Sequence, residues 1–70
     1  MSERVAIIGG GKIGEALLAG LIRSGKPIKD LVVVERFEAR RTELAGEYGI
    51  RVTDDVRDAA ESAQIVVIAV

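Results

Sequence analysis

Apolar residues fall along this chain in two alternating rhythms. Val5–Ile8, Leu31–Val34 and residues 65–70 are short, unbroken apolar runs, the pattern of strands covered on both faces. Between the first two, residues 12–24 carry apolar side chains at Ile13, Ala16, Leu17, Ala19, Leu21 and Ile22, a wide helical stripe that Gly25 is placed to close with a left-handed cap. Ala16 and Gly20, small and four apart, are expected to let this helix lie close to a sheet. Pro27 sits in the connection over residues 26–30.

A second helical pattern covers residues 37–48, with Leu44, Ala45 and Tyr48 on one side and Glu38, Arg40, Arg41, Glu43 and Glu47 elsewhere; Gly49 stops it. Residues 50–53 alternate apolar and polar as a short edge strand would. Asp54 or Asp55 then offers an N-cap for a small helix over residues 56–62, with Val56, Ala59, Ala60 and Ala63 facing inward.

The resulting order is βαβαβαβ. Helices between strands mean parallel crossovers, so the expected class is α/β: a Rossmann-like, doubly wound parallel sheet with spatial order 3-2-1-4. The order reverses at the first strand, which puts the ligand crevice between Gly9 and the end of the last strand. That last run, IVVIAV from Ile65 through to Val70, becomes an apolar, uncharged edge, a pairing hazard that a further strand would cover in a complete protein. The sheet is therefore expected to be truncated after its fourth strand, and the fragment to self-pair along this edge.

Length points the same way. Seventy residues hold one domain at most, and a chain that short buries only about 60% of its unfolded surface. Residues 1–70 are read as the N-terminal part of a dinucleotide-binding domain. The composition, 49% apolar and 30% charged, argues for a folded chain. Ten basic and eleven acidic residues give a net charge of −1 without a basic stripe, which speaks against nucleic acid. The absence of cysteine and histidine removes disulfides, thiolate and imidazole chemistry and the usual zinc ligands. No signal-peptide pattern and no run of membrane-spanning length occurs, so a cytoplasmic setting without membrane contact is expected.

The candidate chemistry lies where the first strand runs into glycine. In RVAIIGGGKIG, Gly9, Gly11 and Gly14 complete a G-x-G-x-x-G after a strand and at the start of a helix, the context that gives the motif meaning. Gly9 suits the tight turn, Gly11 a close backbone approach to a pyrophosphate, and Gly14 close helix–strand packing. Amides near Gly11, Lys12 and Ile13 would donate to phosphate, helped by the helix dipole. An ATP-type loop is disfavoured, since Gly14 is followed by Glu15 and Ala16 instead of Lys and Ser or Thr.

Glu35 closes the second strand twenty-one residues after Gly14, about where an acidic residue accepts from ribose hydroxyls, which favours NAD. Arg36, with Arg40 one helical turn on, offers guanidinium groups for a 2′-phosphate, which favours NADP. The balance leans slightly to NADP(H), with NAD(H) also usable. Asp54, Asp55, Asp58 and Glu61 suit capping and a solvated face better than a metal, and no metal site is assigned. Tyr48 is read as a core-edge aromatic, and no catalytic residue is assigned within the chain.

These residues together resemble the N-terminal segment of pyrroline-5-carboxylate reductase. That family typically reads G-x-G-x-[ILM]-[GA]-x-A-[ILV]-x-x-G-[LF]-x-x-x-G, matched here by Gly9, Gly11, Ile13, Gly14, Ala16, Leu17, Gly20, Leu21 and Gly25. The resemblance implies an oxidoreductase that reduces 1-pyrroline-5-carboxylate to L-proline by hydride transfer from a nicotinamide. It implies cofactor binding by Gly9, Gly11, Lys12, Ile13, Gly14, Glu35 and Arg36. Substrate binding and homo-oligomer formation would belong to a helical C-terminal domain absent from these residues, so the fragment itself is expected to be inactive. Glu35 departs from the Ser or Asn frequent in that family. The alternatives are a non-catalytic module sensing NAD(P)(H), or the cofactor domain of a 3-hydroxyacid-type dehydrogenase.

Overall fold

The computed structural model describes residues 3–69. The apolar runs form strands and the helically spaced segments form helices: β1 (Val5–Ile8), α1 (Lys12–Arg23), a 3₁₀ turn (Ile28–Asp30), β2 (Leu31–Val34), α2 (Glu38–Tyr48), β3 (Arg51–Thr53), α3 (Val56–Glu61) and β4 (Ile65–Ile68). The four strands make one parallel sheet in the order β3-β2-β1-β4, as the crossover pattern predicts. β1 pairs Val5 with Leu31 on one side and with Ile65 on the other.

Alternation along β1 and β2 divides the core into two layers. Val5, Ile7, Leu31 and Val33 point to one face, where they pack with Leu18 of α1, Leu44 of α2 and Ile50. Ala6, Val32 and Val34 point to the other and meet Ala59 of α3. Two helices thus cover one face and the third crosses to the other, which follows from the chain reversing direction at β1.

Helix ends follow local chemistry. After Arg23 the Gly25 amide donates to Ile22 O and the Lys26 amide to Leu21 O, both at 3.0 Å, with Gly25 at φ 101°. This is the Schellman pattern expected of a C-terminal glycine. Gly49 ends α2 at φ 69°. Asp55 is the N-cap of α3, its side chain accepting from the Asp58 amide at 3.1 Å.

Several expectations need correction. α1 ends at Arg23 and α3 at Glu61, each one residue early, because Ser24 and Ser62 serve as C-caps. The face of α1 that meets the sheet is built on Gly14 and Leu18, both buried and one turn apart. Leu17, Leu21 and Ile22 of the expected stripe pack against the core, but Leu18 lies outside that stripe, and Ala16 is exposed and Ile13 is 68% exposed. A Cβ added to Gly20 would meet nothing within 4 Å, so the close approach belongs to Gly14 and not to an Ala16–Gly20 pair. Val56 is 49% exposed at the mouth of a surface hollow instead of facing inward.

β4 lies at the edge with Ile65, Val66 and Ile68 exposed, and Ala69 extends the ladder by donating to Ile8 O at 2.9 Å. The last residue of the predicted strand, Val70, lies outside the described residues. Among the described residues no helix is long and apolar enough to cross a membrane.

Candidate functional site

The crevice begins where β1 runs out. Gly9 takes φ 116°, a left-handed conformation open to glycine at little cost, while its amide stays bonded to Val34 O at 2.9 Å. The chain thus leaves the sheet still tied to β2. Gly11, with extended backbone, is the N-cap of α1 and offers no capping side chain. The amides of Gly11, Lys12, Ile13 and Gly14 are the four a helix start leaves without intrahelical partners, and none has an acceptor among the described residues. They cluster at the positive end of a twelve-residue helix dipole.

Two glycines explain how this end is brought so near β1. A Cβ on Gly14 would lie 1.9 Å from Gly9 O and 3.0 Å from Gly9 C, so only glycine lets α1 rest against the turn. A Cβ on Gly11 would meet nothing within 4 Å, so the space over the loop is open. The resulting cleft is lined by Gly9, Gly10, Gly11, Lys12 and Ile13, with Glu35 and Ala69 at its borders. Gly9, Gly11, Lys12, Ile13 and Glu35 are therefore together, at the switch point the topology predicts.

A second hollow shares Gly9 and Glu35 and continues past Arg36 and Phe37 to Asp54 and Val56. The Arg36 guanidinium stacks 5.1 Å from the centroid of the Phe37 ring. It makes no ion pair or hydrogen bond among the described residues. A separate hollow at the opposite ends of the strands, by Arg4, Asp30 and Leu31, contains none of the predicted site residues.

Glu35 is turned back onto the protein. Its Oε1 accepts from the Gly10 amide and its Oε2 from the Phe37 amide, each at 2.9 Å. The Phe37 bond, helped by the Gly10 amide and the Arg36 charge, holds this carboxyl below the usual carboxylate range. Each oxygen keeps a lone pair for a further donor.

Arg40 differs from the expected phosphate ligand. It lies on α2, but its Nε donates to Gly10 O at 2.6 Å and its Nη groups pair with Glu15 and Glu43. Glu15 also accepts from the Tyr48 hydroxyl at 2.6 Å. That bond, followed by Arg40, lowers the Glu15 pKa, while Tyr48 is pushed up to about 12 by donating to Glu15. The same contacts hold Arg40 more firmly protonated. Arg41 donates to Glu35 O at 2.8 Å.

Two participants were not legible from spacing. Gly10, the unassigned middle glycine, is buried, and a Cβ on it would come within 2.8 Å of Glu35 Oε1 and 3.0 Å of Leu44 Cδ1. Glu15, the residue that excluded an ATP-type loop, links α1 to Arg40 and Tyr48. Of the acidic residues near α3, Asp55 caps the helix and Asp58 pairs with Arg51. Among the described residues no group of three or more histidine, cysteine or carboxylate side chains is placed to hold a metal.

The model of the family described as NADP oxidoreductase, coenzyme F420-dependent, matches residues 4–70. The chain is 58% identical over 67 residues to a pyrroline-5-carboxylate reductase of Mycobacterium leprae, covering 96% of the chain and 22% of that relative. Among solved structures, a pyrroline-5-carboxylate reductase from Coxiella burnetii superposes with a TM-score of 0.92 at 28% identity, covering the whole chain and 26% of its own. An imine reductase V8 variant from Myxococcus stipitatus, in complex with NAD+, gives 0.81 at 34% identity over 97% of the chain and 22% of its own. The chain spans about a quarter or less of the length of these relatives.

Proposed function

We propose a function from the premise that the chain belongs to the family described as NADP oxidoreductase, coenzyme F420-dependent. In this reading residues 1–70 are the N-terminal, NAD(P)H-binding part of a reductase that converts 1-pyrroline-5-carboxylate to L-proline. The observation that carries it is the cluster of unpartnered amides at Gly11, Lys12, Ile13 and Gly14, beside a left-handed Gly9 and with open space over Gly11. Such a cluster suits a pyrophosphate, and the room over Gly11 admits one. When bound, the reduced nicotinamide supplies a hydride to the substrate's imine carbon.

Each residue of the chain then has a task. Gly9 turns the backbone, Gly11 leaves room, Gly14 seats the helix, and the amides from Gly11 through Ile13 donate to phosphate oxygens, with the Lys12 charge beside them. Glu35, ionised throughout the physiological range, accepts from ribose hydroxyls through its remaining lone pairs. Arg36 reads a 2′-phosphate. With Arg40 drawn onto Gly10 and Glu15, one of the two arginines favouring NADPH is withdrawn, and the balance between Arg36 and Glu35 admits both cofactors. The substrate pocket and the subunit contacts of a cytoplasmic homo-oligomer would lie in a C-terminal helical domain.

The test is titration of NADPH and NADH into the complete protein to which these residues belong, with turnover of pyrroline-5-carboxylate as the second readout. Both cofactors bind and support proline formation, and Arg36→Ala weakens NADPH roughly tenfold while sparing NADH. Failure to bind either dinucleotide would overturn the reading. Equal loss of both on Arg36→Ala would remove the role given to that residue. The purified 70-residue chain is expected to turn over no substrate.

A further inference from the structure

The glycine loop is gripped from outside itself. The N–H of the Gly10 peptide donates to Glu35 Oε1 from the end of β2, and the Gly10 carbonyl accepts from Arg40 Nε on α2. The two grips are linked, because Arg41, next to Arg40, donates to the Glu35 carbonyl. The Arg40 guanidinium also spans to Glu15, in the first turn of α1, and the Tyr48 hydroxyl holds the other oxygen of that carboxylate. One side chain thus connects the middle of the loop, the start of the helix after it and the body of α2. A planar fork with fixed donor directions can hold several acceptors in set positions at once, which a lysine cannot do.

We propose that Arg40 is a positioning residue for the phosphate loop: Glu35 holds the peptide group before Gly10 and Arg40 the one after it, which carries the Gly11 N–H, and together they aim the amides of Gly11, Lys12 and Ile13. This deepens the dinucleotide reading and rests on it. It reverses the role the sequence suggests for Arg40. A 2′-phosphate ligand would discriminate between cofactors, whereas a residue that shapes the pyrophosphate cradle affects NADH and NADPH alike. Burial of Gly10 fits the role, since the gripped peptide is packed against Glu35 and Leu44 and has little room to turn.

The experiment compares wild type, Arg40→Ala and Arg40→Lys in the complete protein, with NADH, NADPH, ADP and adenosine as probes. Arg40→Ala is expected to weaken NADH, NADPH and ADP by a similar factor, roughly tenfold, and to leave adenosine unchanged. Arg40→Lys restores only part of the loss. Loss confined to NADPH would overturn the proposal in favour of a phosphate ligand. A lowered melting temperature with unchanged affinities would overturn it in favour of a purely structural contact. A ligand-free measurement separates the proposal from the reading beneath it: amide exchange at Gly10 speeds up in Arg40→Ala. Unchanged exchange there refutes the grip whether or not wild type binds a dinucleotide, and failure of wild type to bind one refutes the cofactor reading.

Discussion

Replacing Gly14 with alanine tests the packing that brings the helix start to the crevice. The added Cβ would sit 1.9 Å from Gly9 O, where ordinary contact begins at 3.4 Å. Relief requires α1 and the Gly9 turn to separate by about 1.5 Å. The turn has little freedom to yield, because the Gly9 amide is bonded to Val34 O, the Gly10 amide to Glu35 and the Gly10 carbonyl to Arg40. On the other side the new atom meets Ile7 Cγ2 at 3.6 Å, so sliding inward is blocked by the fully buried strand. Overpacking of this kind costs about 1–3 kcal/mol, and alanine's helix preference returns up to ~1 kcal/mol. A net loss of ~1–2 kcal/mol corresponds to a melting temperature lower by roughly 5–15 °C in a domain of this size. Gly20→Ala is the control: it lies in the same helix with open space around it and should gain ~0.5–1 kcal/mol. Thermal unfolding followed by circular dichroism reads both. A Gly14→Ala variant as stable as wild type, or a Gly20→Ala variant as damaged as Gly14→Ala, would refute the assignment of the close contact to Gly14.

Two further outcomes follow from polar contacts. Because the Tyr48 pKa is raised to about 12, its folded-state contribution is full below about pH 10 and lost as pH rises toward 12. Denaturation at a series of alkaline pH values should show that decline, and Tyr48→Phe should remove this component. Asp55→Ala deletes the side-chain acceptor for the Asp58 amide and should cost ~1 kcal/mol, read as a lower urea midpoint with unchanged slope.

The fold was legible because its signals are local. The run from Val5 to Ile8, the glycines after it and the cap at Gly25 each depend on a few neighbours, and parallel crossovers then restrict the order of strands. What was misread depended on distance. α1 carries apolar residues around much of its circumference, so periodicity alone does not say which side meets the sheet. The structure places Gly14 and Leu18 innermost, with Leu17, Leu21 and Ile22 of the stripe at their flanks. The contacts of Arg40 were hidden for a related reason: its acceptors, Gly10 O and Glu15, lie thirty and twenty-five residues away in sequence. The position of Glu35 at the end of β2 was legible, but its two amide contacts were not.

The central position of β1 also governs when the crevice comes into being. β1 gains its first neighbour when residues 31–34 arrive, but its second partner is β4, and the contact that opens that ladder, Arg4 to Gln64, joins residues sixty positions apart. Pairing over such separations makes folding slow, because loop-closure entropy must be overcome before the contacts form. During synthesis from the N-terminus the glycine loop would emerge early and remain half-walled until nearly all of these residues had left the ribosome. A nucleotide present in the cell would then favour the finished sheet over earlier intermediates, acting on folding as well as on chemistry.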